Sequence, residues 1–69
     1  MRLSARNQLD GVVVSVEHGA VISTVLIRLE GGQEVVSAIT RASAEALELA
    51  EGDAVKAVIK ATEVMIGKD

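Results

Sequence analysis

The sequence predicts a mainly β protein: a small closed or nearly closed barrel of about five to six strands with one short helix. Three observations carry that expectation. Turn signals at Asp10-Gly11, His18-Gly19, Gly31-Gly32 and Gly52-Asp53 cut the 69-residue chain into strand-length pieces. Those pieces are rich in valine and isoleucine, whose branched side chains suit a pleated surface. Only one stretch, ahead of the last long piece, has helical composition. A barrel follows because a short sheet must pair or cover its edges.

Taken in order, residues 2–8 form a short candidate strand, and residues 12–17 a first full one. Residues 20–30 make a longer strand. In it Val21, Val25, Ile27 and Leu29 share one face while Ile22 and Leu26 are apolar on the other, so both sides meet a neighbour. Residues 34–40 are the third. Residues 43–49 suit a short helix, with Ser43 as cap, Glu45 near its positive end and Gly52 closing the turn beyond. Residues 54–61 alternate most clearly: Val55, Ala57, Ile59 and Ala61 against Lys56 and Lys60, with Val58 interrupting the polar face. Residues 63–66 are a second short candidate at the end.

A chain of this length makes one domain, residues 1–69, and buries only about 60% of its unfolded surface. The usual reinforcements are disulfides, a metal or association, and with no cysteine and one histidine the first two are excluded or disfavoured. Aromatic residues are absent, so valine, leucine, isoleucine and alanine must fill the core, and they bury less area each. With 49% hydrophobic residues, apolar patches are left for a partner, and a homo-oligomer is expected. A net charge of -3 and the lack of stacking residues argue against nucleic acid. No apolar run approaches the roughly 20 residues of a membrane span, and no signal peptide is visible. A cytoplasmic protein is the default expectation.

Catalysis has little to stand on. His18 lies at a turn with no cysteine nucleophile to serve, and Glu45, Glu48 and Glu51 read as a solvated helix face. One histidine gives no metal-ligand spacing, and the glycines form neither a P-loop nor a dinucleotide fingerprint. Oxyanion binding needs only donors: backbone N–H groups, hydroxyls and one or two cations. Ser4, Arg6, Thr40, Ser43 and Lys60 could supply them. Each also has an ordinary reading, as helix cap (Ser43), strand end (Thr40) or surface charge (Arg6, Lys60).

The segments "SARNQLDGVVVSVEHGAV" and "VVSAITRASAEALELAEGDAVKAVIKATEVMI" resemble the molbindins, the small cytoplasmic molybdate- and tungstate-binding (Mop) proteins of the TOBE, OB-like type. The resemblance runs from Met1 to about Ile66, with "SARN", "GAV", "IT" followed by Ser43, and "IKATEVM" in order. It implies an OB-like barrel assembled as a hexamer, a trimer of dimers, with oxyanions between subunits and no cofactor. By position, the dimer-interface site would use Ser4, Ala5, Arg6, Thr40, Ser43, Lys60 and Ala61. A second site near the three-fold axis would use His18, Gly19, Ala20 and Val21. Many relatives carry Asn where this chain has Ile22, and an apolar side chain cannot donate to an anion, so that second site is expected to be altered or weaker.

Three functions follow from this reading. The first is an intracellular molybdate or tungstate store and buffer. The second is an oxyanion-sensing or oligomerisation module of a larger transport or regulatory protein. The third, an enzyme of molybdenum metabolism, is weakest for want of a nucleophile or base.

Overall fold

The computed structural model describes residues 2–69; Met1, where the resemblance begins, lies outside the described residues. Four strands, β1 (Asn7–His18), β2 (Ile22–Leu29), β3 (Glu34–Thr40) and β4 (Ala54–Ile59), form one antiparallel sheet in the order β3-β2-β1-β4. A short helix, α1 (Arg41–Ala46), separates β3 from β4, and a single 3-10 turn (Ala61–Glu63) follows. The sheet curls into a half-barrel of the small OB-like kind, as the resemblance implies.

The long first strand organises the fold because it serves two partners. Its first half pairs with β4, from Asn7↔Ile59 to Val12↔Ala54, and its second half with β2, from Gly11↔Leu29 to His18↔Ser23. Asp10-Gly11 is therefore strand interior rather than the expected turn. A Cβ at Gly11 would sit 2.7 Å from Ile27 Cγ2 and 2.8 Å from the Arg28 carbonyl oxygen. The glycine marks a close strand approach. Between Val13↔Ile27 and Ser15↔Leu26 the register slips by one, leaving Val14 as the extra residue of a β-bulge. The bulge resets which side chains face inward, so Val13 before it and Val16 after it both meet the core.

That core is small: Val13, Val25, Ile27 and Ala57 are buried, with Val16, Leu29, Ile39, Leu49 and Val55 packed around them. Each large member contributes about 1.5–3 kcal/mol on full burial. The alternation expected over residues 54–61 holds only to Ile59, where β4 ends and Ala61 opens the 3-10 turn; within the strand Ala57 is buried and Lys56 outside, its Nζ 2.6 Å from Asp10 Oδ1. In β2 the inward row is Ser23, Val25, Ile27 and Leu29. Val21, expected to join it, lies in the preceding turn and is 71% exposed.

Three further expectations are corrected. The helix starts earlier than residues 43–49: Thr40 is its cap, the Thr40 Oγ1 accepting from the Ser43 amide at 3.1 Å, so Ser43 lies inside the first turn. Gly52 does not close the helix, which has ended before Glu48 turns left-handed (φ 52°). Gly52 (φ 92°) instead shapes the turn into β4, its amide donating to the Val13 carbonyl at 2.8 Å. The terminal candidates add no strands: of residues 2–8 only Asn7 and Gln8 join β1, and residues 63–66 carry no ladder pairing. With four strands rather than five to six, the β3 and β4 edges do not pair with each other. A cavity of about 320 Å³ opens between them, walled by Val35, Ile39, Leu49, Val55 and Ile59.

Candidate functional site

The expected dimer-interface residues fall into two groups, each assembled by a different part of the sheet. Ser4, Ala5, Arg6, Lys60 and Ala61 form the first. Asn7↔Ile59 is the last pair of the β1–β4 ladder, so Arg6 and Lys60, the next residues on either strand, flank it. The Gln8 side-chain Nε2 donates to the Ala5 carbonyl at 2.8 Å, tying the segment before β1 back onto the strand. Lys60 leads into the 3-10 turn, its carbonyl accepting from the Glu63 amide at 2.8 Å. Ser4, Arg6, Lys60 and Ala61 are exposed and Ala5 is half-buried.

Charge distinguishes this group. Arg28, Arg41 and Lys56 are each paired with a carboxylate, of Glu34, Glu45 and Asp10 respectively. Among the described residues Arg6 and Lys60 have no such partner, nor do Arg2 and Lys68 near the chain ends, but Arg6 and Lys60 alone of these four flank a strand ladder. Arg6 and Lys60 thus stand at one end of the β1–β4 ladder without a carboxylate to offset them, in a chain of net charge -3.

Thr40 and Ser43 form the second group, linked to the opposite end of β1 through Ile22↔Thr40 and His18↔Ser23. The Thr40 hydroxyl donates to Ser43 Oγ at 2.8 Å, which leaves the Ser43 proton for another acceptor. Among the described residues no side-chain hydrogen bond joins the two groups. Beside the second group lies the expected three-fold turn, His18, Gly19, Ala20 and Val21. The Gly19 amide donates to the Ile22 carbonyl at 2.8 Å and closes the hairpin.

His18 has a defined partner. Its Nδ1 lies 2.6 Å from Ser23 Oγ, and Ser23 is fully buried at the end of the inward row of β2. The imidazole thus satisfies a hydroxyl that burial would otherwise leave at a cost of about 1–3 kcal/mol. Sequence reasoning passed over Ser23; the available signal was a lone hydroxyl in an apolar strand face, one hairpin away from the only histidine. Glu45 is likewise more than part of a solvated face. Its hydrogen bond from Arg41, and then the Arg41 charge, hold its carboxyl below the usual carboxylate value. Among the described residues no three His, Asp or Glu side chains gather as a metal site.

Residues 3–66 match the TOBE domain family. Over 66 residues the chain is 48% identical to molybdenum-pterin-binding protein 3 of Clostridium pasteurianum, covering 96% of this chain and 97% of that protein. The chain belongs to the molbindin (Mop) branch of the TOBE-domain family. The fold agrees: MopII from Clostridium pasteurianum superposes with a TM-score of 0.92 at 42% identity, covering 97% of this chain and all of that one. A molybdate-binding protein from Sporomusa ovata gives the same TM-score at 38% identity, covering 99% and 100%. The Mop unit also occurs inside longer proteins. The molybdenum transport protein ModE of Azotobacter vinelandii is 47% identical over 66 residues, which cover 24% of its length. The relatives this chain matches over nearly their full length are named as molybdenum-pterin- or molybdate-binding proteins.

Proposed function

We propose that this chain binds molybdate or tungstate and serves as a cytoplasmic store and buffer for the oxyanion, holding it between subunits of a homo-hexamer built as a trimer of dimers. The observation that carries the reading is the pair of unneutralised cations, Arg6 and Lys60, flanking one ladder pair beside Ser4 in a chain similar to molybdate-binding proteins. Ser4, the Ala5 and Arg6 backbone, the Arg6 side chain, Lys60 and the Ala61 backbone form one wall. Thr40 and Ser43 form the other. The two walls attach at opposite ends of β1, and a neighbouring chain completes the cage. Exposed apolar side chains support assembly: Ile22 is 49%, Val36 68% and Ile66 90% exposed, more than a lone small domain leaves in water without a partner. The turn formed by His18, Gly19, Ala20 and Val21 is the second, weaker class of site.

Selectivity against sulfate follows from size. Donors spaced for the larger anion stand too far from a smaller one, and each charge-assisted bond lost costs roughly 1.5–3 kcal/mol. Calorimetric titration with molybdate, tungstate, sulfate and phosphate, paired with sedimentation, tests the reading. Tight uptake of the first two alone by an oligomer supports it, and equal affinity for sulfate refutes it. The match to part of ModE favours a second reading, an oxyanion-sensing or oligomerisation module of a larger protein. A gene product longer than this chain would select it.

A further inference from the structure

We infer that Arg41 is the positioning residue of the 19–21 turn, holding the Ala20 and Val21 amides in the arrangement that receives an oxyanion, and that Glu45 locks Arg41 in place. The inference rests on the proposed oxyanion function and adds a residue that none of the expected site positions include. The Arg41 amide donates to the Val21 carbonyl at 2.7 Å, and Arg41 Nη1 makes a long contact, 3.5 Å, to the Gly19 carbonyl. One residue therefore grips the turn at both ends.

Between those grips, neither the Ala20 nor the Val21 amide has an internal acceptor among the described residues. Two neighbouring N–H groups are thus left for a ligand. The turn has little slack, since a Cβ at Gly19 would fall 2.6 Å from the Ile22 carbonyl oxygen. The imidazole of His18 is engaged by Ser23. On the far side, Arg41 Nε donates to Glu45 Oε1 at 2.5 Å, one helical turn along α1. Glu45 offsets much of the guanidinium charge, so what Arg41 contributes to the turn is geometry. A planar fork serves Glu45 through Nε and Gly19 through Nη1 from two separate nitrogens held in one plane, whereas the three donors of a lysine ammonium all radiate from one nitrogen.

The test is an amide NMR titration with sodium molybdate, alongside calorimetry and melting curves, on the assembled full chain and its Arg41→Lys and Arg41→Gln variants. In the parent, the Ala20 and Val21 amides should shift with a midpoint weaker than the strong binding event. Both variants should raise that midpoint about fivefold or more, the scale of one hydrogen bond lost. The strong event should stay within about twofold, and melting temperatures within about 2 °C, because an exposed ion pair adds little stability. Parental behaviour in Arg41→Lys overturns the inference, since charge alone would then suffice. So does an equal loss in both classes of site. Strong binding by the parent with no response at Ala20 and Val21 removes the turn site while leaving the interface reading intact, whereas no molybdate binding by any protein refutes the proposed function itself.

Discussion

Replacing Lys60 with alanine isolates the part of the proposed interface site that is charge rather than shape. Lys60 follows the Asn7↔Ile59 pair, beside Arg6, and has no carboxylate partner among the described residues. Its removal therefore leaves no orphaned anion in the protein and does not disturb the core, since Lys60 is exposed. The loss falls on the ligand: one charge-assisted hydrogen bond to a doubly negative anion, about 1.5–3 kcal/mol, or roughly 10- to 150-fold in Kd. Lys56→Ala is the internal control. It removes the same charge four residues earlier, within β4, but Lys56 is already engaged by Asp10 and lies inside the ladder rather than just past its Asn7↔Ile59 end. Isothermal titration of molybdate into the three proteins at two salt concentrations reads both effects. Lys60→Ala should lose affinity and flatten the salt dependence, while Lys56→Ala stays close to the parent. A Kd for Lys60→Ala within about twofold of the parent, under about 0.5 kcal/mol, would refute the assignment of Lys60 to the site.

Other perturbations read other parts of the structure. Ile22→Asn places a donor directly after the 19–21 turn on an exposed strand position, so it should add or tighten weak binding events and leave the strong ones alone; superimposable isotherms would exclude the turn from binding. Ligand and assembly should be coupled if the cage spans subunits. Dilution should lower the melting temperature, and molybdate at a hundredfold excess over Kd should raise it by the equivalent of about 2.7 kcal/mol per site. A monomer that binds with undiminished affinity in sedimentation would contradict this. Gly11→Ala forces a Cβ against the Arg28 carbonyl oxygen at 2.8 Å, so thermal unfolding should show a loss of about 1–3 kcal/mol, and an unchanged melting temperature would mean that β1 and β2 separate more readily than their register implies.

Where an element is governed by neighbours in sequence, the chain alone is enough to read it. The span of β3, residues 34–40, is legible from its β-branched composition and from the Gly31-Gly32 turn ahead of it, where Gly32 takes φ 91°. Alternation shows the inward face of β4, because a strand half-buried against one core displays its period directly, but not its end, since Lys60 and Ala61 continue the pattern after the ladder has stopped at Ile59. The donor chemistry of Ser4, Arg6, Thr40, Ser43 and Lys60 is likewise visible, since residue type alone defines it. Long-range contacts decided everything else. Gly11 looks like a turn residue until Ile27 and the Arg28 carbonyl are seen packed against it, and in the run Val12-Val13-Val14 nothing local says which valine the partner strand will skip. Thr40 rather than Ser43 caps the helix because β3 delivers Thr40 in extended conformation at the first free amides, a matter of where the ladder stops. That Arg6 stands beside Lys60, that His18 answers a buried Ser23, and that Arg41 reaches back to Gly19 each depend on register between strands distant in sequence. Register is set by the summed fit of a whole sheet face, and that sum exists only once the chain has folded.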